Sequence, residues 1–184
     1  WKEFGISVEL SAAAGIAART DLSSATLPAP ARRWTIPVVI GGERGPQFGE
    51  MAEAAGLSQE AARKALLEAR LRVLAIGFTP GLPYMGLMPP EWDVPRLKEL
   101  SPNIPRCALV AAVRQLIVFT NPTPTGWRHI GQTAFHGFDI ARDPATPLMA
   151  GDEVRLEAMT PADLDALEKD NPGNLGGARC EVLA

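Results

Sequence analysis

The chain has 184 residues, with 18 Lys and Arg against 21 Asp and Glu, for a formal net charge of −3. That length holds about one domain with a real hydrophobic core, and the charge offers no basic field for a nucleic-acid backbone to select. The 46% hydrophobic and 21% charged content is globular rather than disordered. No run of about 18 uncharged apolar residues is present to span a membrane. The two cysteines, Cys107 and Cys180, make neither a disulfide framework nor a CxxC zinc pair. A cytoplasmic protein with no nucleic-acid and no membrane partner is expected. Glycine and proline number 17 each, more than average usage, which predicts short strands joined by rigid turns.

The chain begins at Trp1 rather than Met, as expected of a fragment or processed chain. Residues 1–17 lack the basic start and long apolar core of a secretory signal. SVELSAAAGIAAR reads as an Ala-rich helix, and SSATLPAPARR has the composition of a tether, with a boundary near residue 33. Trp34 to Ile40 is a β-branched apolar run and hence a strand. Pro37 places it at an edge or an irregular position. After the turn GGERGP, a helix is expected over about 46–55, ending at Gly56. Ser58 caps a second helix over about 59–70, with Ala61, Leu66 and Leu67 on its buried side. This pair resembles a helix-turn-helix. However, the first helix carries Glu50 and Glu53 and no basic residue, so a hairpin packed on a sheet is the expected role.

Leu71 to Phe78 reads as a buried strand. Residues 79–105 are proline-rich and too long for a passive connector, and Tyr84 and Trp92 argue that they are packed. Ala108–Val113 and Leu116–Thr120 are short apolar strands, separated by a tight turn or a bulge at Arg114-Gln115. Trp127 to Thr133 alternates, with Trp127, His129, Gly131 and Thr133 on one face, and Phe135–Ile140 extends it. Glu153 to Met159 is a further strand. Thr160, Pro161 and Asp163 open a last helix with a capping-box arrangement. From residue 71 to 159 the pattern is that of a small β-barrel.

No GxxxxGK[ST], GxGxxG, HExxH or GxSxG motif occurs. His129 and His136 are an odd number apart on an extended segment, so they face opposite ways and share no metal. Cys107 beside Arg106 is either a buried small hydrophobe or a thiolate nucleophile without a nearby base. His129 is either a core histidine or an acid–base group at a barrel mouth. Arg114 and Gln115 are either a turn tip or a grip for a carboxylate or amide. The strongest local signal is GFTPGLPYMG, Gly77 to Gly86. Its three glycines and two prolines fix the backbone, as a barrel corner or as a cradle of N–H groups for an anion.

Five segments carry a family resemblance in the right order. IPVVIGGERGPQF resembles IPV-x-YGGE-x-GPD, and AEAAGLSQEAA resembles a helix–GLS–helix. GFTPGLPYMG resembles GF-x-PGFPY-[LM]-G. NIPRCALVAAVRQLIVFTNPTPTGWRHIGQT resembles VPAGSVGIAGGQTGIYPLPSPGGW-x-[LI]-IGRT. FDIARDPATPLMAGDEVRL resembles FDP-x-RDPPALL-x-PGDRVRF. Together they resemble the KipI / allophanate hydrolase subunit 1 family, which includes the 5-oxoprolinase subunit designated B. The likeness runs from about Thr35 to Leu167.

The resemblance implies an α+β carboxyltransferase-type module. A mainly β, cyclophilin-like C-terminal barrel is preceded by a small α/β segment containing the helical hairpin. Three parts follow: 1–33, the remnant of an N-terminal region; 34–70, a strand and helical hairpin; and 71–184, the barrel with its C-terminal helix and tail. The resemblance further implies a subunit of an ATP-dependent amide or lactam hydrolase that opens 5-oxoproline to glutamate. It would act with a KipA/subunit 2-type partner, separate or fused, and a third LamB/YcsF-type subunit. ATP is implied by the family alone, with no site located, and no metal is predicted. Substrate contacts would come from Phe78, Pro80, Gly81, Pro83, Tyr84, Arg114, Trp127, Gln132 and Thr133. His129 would transfer a proton and Gln115 orient the substrate.

Two alternatives accompany that reading. One is a KipI-like inhibitor of a sensor histidine kinase, using an apolar patch of Met85, Leu87, Met88 and Trp92. The other is the carboxyltransferase component of a biotin-dependent carboxylase. Two departures stand out. The family's GGQTG reads Val113-Arg114-Gln115-Leu116-Ile117, with only Gln115 retained, and the N-terminal region is shorter. The tail ARCEVLA resembles the opening strand of the subunit 2 partner, as if cut from a fusion.

Overall fold

The computed structural model describes residues 27–183, so the expected Ala-rich helix and the first four residues of the tether lie outside the described residues. The first strand, β1 (Arg32–Ile40), shows how the fold is built. Trp34, Ile36, Val38 and Ile40 alternate into the main core, while Val39 faces the opposite side. Two helices follow, α1 (Phe48–Ala54) and α2 (Gln59–Glu68). The Ser58 hydroxyl accepts the Ala61 N–H at 3.1 Å and caps α2 as expected. Ala62 and Leu66, one turn apart, are fully buried, whereas Ala61 faces solvent. Of the expected buried side, Leu66 is buried and Leu67 packs partly buried against the core, while Ala62 takes the place expected of Ala61.

The remaining strands are β2 (Leu71–Ile76), β3 (Pro83–Gly86), β4 (Ser101–Ile104), β5 (Ala108–Ala112), β6 (Gln115–Val118), β7 (Thr123–Thr125), β8 (Arg128–Gln132), β9 (Glu153–Ala158) and β10 (Arg179–Val182). The third helix, α3 (Pro161–Lys169), has the Thr160 hydroxyl accepting the Asp163 N–H. Around the barrel the order is β1-β8-β5-β6-β3-β2-β9, closing through a parallel β9–β1 pair, with β10 added along the flank of β1. Closure leaves these seven strands with no edge open along its whole length. The expected mainly β barrel with a helical hairpin is the observed architecture. Its β1 lies in the 34–70 segment, so that segment supplies a strand to the same barrel as residues 71 onward.

Pro37 sits at a change of neighbour. β1 pairs with β10 only through Thr35 and with β8 only from Val39, while Pro37 faces Glu157 of parallel β9. Its missing donor therefore falls where one flank of the strand is unpaired. Inside the barrel, Val73, Met85, Leu109, Leu116, Ile130 and Val154 join one apolar cluster with Phe48 and Met51 of α1 and Leu66 of α2. A second cluster lies on the other face of β5 and β6, formed by Val110, Ile117, Phe119 and Trp127. α3 covers Val39 through Leu164.

Three local expectations resolve differently. Ala112 pairs with Gln115, so of the two alternatives the tight turn is the one observed, but it is formed by Val113 (φ 44°) and Arg114 (φ 62°), one residue earlier than expected. That turn donates Val113 N–H to Val94 O and Arg114 N–H to Trp92 O, which draws the 87–94 segment onto the barrel. Met88 and Trp92 are thereby fully buried, Met85 is buried in the barrel as part of β3, and of the patch expected for a kinase-inhibiting surface only Leu87 is exposed, at 59%. Finally, β8 does not continue through Phe135–Ile140. The Thr133 hydroxyl accepts the Phe135 N–H at 3.2 Å and donates to Cys107 O, which turns the chain out of the sheet.

Candidate functional site

The GFTPGLPYMG segment leaves β2 and returns as β3. Gly77 N–H bonds to Leu82 O, Leu82 N–H to Thr79 O, and the Thr79 hydroxyl meets that of Thr120 at 2.9 Å. Gly81 adopts φ +70°, and a Cβ there would lie 2.1 Å from Gly137 O, so only glycine fits against the neighbouring loop. This pinned loop carries Phe78 at φ 69°, a residue 82% exposed. A bulky side chain in left-handed backbone is strained, and such strain concentrates at functional sites.

Phe78 forms one wall of a groove of about 310 Å3. Tyr84 projects from β3 opposite Ile117 of β6, and its ring meets Trp127 edge-on with centroids 6.3 Å apart. The Arg96 guanidinium lies over Trp127, 5.1 Å from the ring centroid, a favourable cation–π geometry. The groove therefore offers aromatic faces beside one guanidinium, which suits a flat, anionic small molecule.

Of the sequence-predicted residues, Phe78, Tyr84 and Trp127 meet in this groove. Pro80, Gly81 and Pro83 shape the loop behind it without lining it. Arg114 instead donates from Nε to Met88 O at 2.8 Å and serves the hairpin turn. Gln115 begins β6 opposite Gly86 and lies outside the groove.

His129 is buried in β8. Its backbone N–H donates to Gln47 Oε1, and its ring Nε2 has no partner. Burial lowers its pKa, partly offset by the nearby Gly131 backbone and Gln132 side chain, so the ring is neutral near pH 7. Gln132 and Thr133 lie in a smaller polar cleft with Arg106, Cys107 and His136. There burial pushes the Cys107 thiol up to about 12, which leaves no thiolate for the nucleophile reading. A larger cavity of about 520 Å3 borders Leu27, where the described residues begin, and holds none of the predicted residues.

Sequence reasoning missed Arg96, Leu97, Leu100 and Phe119 in the groove wall. The 96–100 segment is held there by the Leu97 N–H bonding to Gly126 O at 2.7 Å, a contact across 29 residues, whereas Phe119 is placed by its backbone bonds to Cys107 and Ala108. The available hint was TPTG. A Cβ at Gly126 would lie 2.9 Å from Leu97 O, so glycine permits the approach. Among the described residues, no group of three or more His, Cys, Asp or Glu is placed to hold a metal ion. No helix among them is long and apolar enough to cross a membrane.

Known proteins resemble this chain in sequence and in fold. The chain is 36% identical over 121 residues to the 5-oxoprolinase subunit designated B of Escherichia coli O157:H7, covering 66% of this chain and 56% of that protein. It is 34% identical over 136 residues to the corresponding 5-oxoprolinase subunit of Bacillus subtilis (strain 168), covering 74% and 57%. The chain thus spans somewhat over half the length of these curated relatives. A conserved uncharacterized protein from Pyrococcus horikoshii superposes with a TM-score of 0.68 at 29% identity, over 72% of this chain and 61% of that one. The urea amidolyase of K. lactis gives 0.67 at 14% identity, over 83% and 11%, a likeness of fold alone. The family model described as carboxyltransferase domain, subdomain C and D, matches residues 7–148. With most of its length matched, the chain belongs to the carboxyltransferase domain, subdomain C and D, family.

Proposed function

We propose that this chain is part of a subunit of an ATP-dependent lactam hydrolase that opens 5-oxoproline to glutamate. Its curated relatives carry the name of a 5-oxoprolinase subunit. The observation that carries the reading is the Arg96 guanidinium held over the Trp127 face in a groove walled by Phe78 and Tyr84. 5-Oxoproline is a flat five-membered lactam with a carboxylate. In this reading the ring rests on the aromatic walls and the carboxylate pairs with Arg96, so the lactam carbonyl is presented to catalytic groups of the assembled enzyme. ATP turnover belongs to that assembly, with the subunit 2-type partner and a LamB/YcsF-type subunit completing it. The kinase-inhibitor reading has less support, because three of the four residues expected to form its apolar patch are buried.

The test uses the full-length protein assembled with its neighbouring subunits, following glutamate release from 5-oxoproline and ATP. Arg96→Ala is expected to lower kcat/KM at least about tenfold, the loss of one charge-assisted contact of about 1.4 kcal/mol or more. No glutamate from the assembled wild-type complex would overturn the reading.

A further inference from the structure

The segment that carries Arg96 runs against the entry to β8. Residues 95–97 meet residues 126–128 in successive contacts of opposite chain sense. Leu97 N–H donates to Gly126 O at 2.7 Å. The Arg96 guanidinium lies over the Trp127 ring. Arg128 Nη1 donates to Pro95 O at 2.7 Å. Proline has no N–H to donate, so its carbonyl is the backbone group by which Pro95 can be anchored.

Arg128 is built into the fold for such a contact. It is 8% exposed, and its Nε donates to Glu50 Oε1 of α1 at 2.9 Å. One planar guanidinium therefore joins α1 to the Pro95 carbonyl with two donors that point different ways. A lysine ammonium, a point charge on a flexible stem, does not reproduce that fork. The start of α1 is itself tied to the next residue of β8. Gln47 N–H donates to His129 O at 2.9 Å, and Gln47 Oε1 accepts the His129 N–H at 2.8 Å. Trp127 thus faces the groove while Arg128, beside it in sequence, faces α1.

We propose that Arg128 is a positioning residue of the aromatic groove, holding the Pro95 carbonyl so that the Arg96 guanidinium stays over Trp127 to meet the substrate carboxylate. This role rests on the reading of the groove as the 5-oxoproline site and adds to it a residue that does not line the groove. Arg128 acts through Arg96 on substrate binding, so its loss falls on KM rather than kcat. The Leu97–Gly126 bond remains when Arg128 is removed, so Arg96 is loosened and not lost. Glu50 is half-exposed, so Arg128→Met strands no buried carboxylate.

The test is a double-mutant cycle in the full-length protein assembled with its neighbouring subunits. Arg128→Met is expected to raise KM for 5-oxoproline about three- to tenfold, with kcat within about twofold of wild type. Arg128→Lys, which keeps the charge, is expected to give a smaller rise in KM. In an Arg96→Ala background, Arg128→Met is expected to have no further effect. A merely structural loss would lower kcat as well and would repeat itself in that background; either result overturns the proposal. A second readout needs no substrate. The Trp127 indole N–H resonance of the full-length protein, assigned by its loss in Trp127→Phe, is expected to shift in Arg96→Ala. In Arg128→Met it should shift in the same direction by a smaller amount, and an unmoved resonance there overturns the proposal. If the wild-type complex releases no glutamate while the resonance responds, the activity reading falls and the link from Arg128 to Arg96 stands.

Discussion

Replacing Gly81 with alanine tests whether the 77–86 loop is held by a backbone contact that admits no side chain. Two effects add at this position. The residue has φ +70°, and left-handed backbone destabilises an L-residue by about 1–2 kcal/mol. Its new Cβ would lie 2.1 Å from Gly137 O, 2.6 Å from Gly137 C and 2.9 Å from Phe138 Cβ. Two of those atoms are backbone, so relief means moving a loop, an overpacking penalty of about 1–3 kcal/mol. The sum is about 2–5 kcal/mol, or about 4–20 °C in Tm for a chain of this size.

Two matched variants separate the effects. Gly42 has φ +60° with open space around its Cβ, and Gly77 has open space and no left-handed φ. Gly42→Ala is therefore expected to lose about 1 kcal/mol, and Gly77→Ala less than about 0.5 kcal/mol. Urea and thermal unfolding of the three proteins give the comparison. If Gly81→Ala is no less stable than Gly42→Ala, the contact with Gly137 does not hold the loop, and the reasoning fails.

Other perturbations reach the core, the hairpin turn and the titrating groups. Leu66→Ala removes a fully buried side chain packed against the barrel and should cost about 2–5 kcal/mol in urea unfolding. Val113→Asn places a residue tolerant of positive φ where a β-branched one sits at φ 44°; unfolding measurements should show a gain of about 0.5–1 kcal/mol. The lowered pKa of His129 means that the unfolded chain takes up its proton first on acidification. That contribution is complete above the unfolded value of about 6.5 and fades as pH falls toward the folded value. His129→Gln should flatten the pH dependence of stability in that window.

Glu153 titrates lower on the scale. Burial pushes its carboxyl up, but hydrogen bonds from Arg33 and Arg155 outweigh this and hold it below the usual range. Its contribution is present above about pH 4.5 and is lost as pH falls through the folded value. Acid unfolding of Glu153→Gln should be less steep there than that of the parent chain.

Much of the architecture could be read from local pattern. The β-branched apolar run Trp34–Ile40 announces a strand, Ser58 and Thr160 announce helix starts, and turn-rich spacing after residue 71 announces a small barrel. Each depends on residues within a few positions of one another, so periodicity and capping chemistry suffice. The GFTPGLPYMG loop was legible as rigid for the same reason, since glycine and proline act on their own backbone.

Tertiary structure alone decided what those elements meet. Only barrel closure shows that β1 pairs in parallel with β9, more than a hundred residues away. Only the close approach at Gly126 brings Arg96 over Trp127. The Val113–Arg114 turn pulls Trp92 inward and removes the patch that its composition promised. Gln132, Thr133 and Trp127 are neighbours in sequence, yet Gln132 and Thr133 line one depression and Trp127 another. Local pattern gives the propensity of a segment. Which surface it faces is set by packing between residues far apart in the chain, and the candidate sites of this protein are made of such contacts.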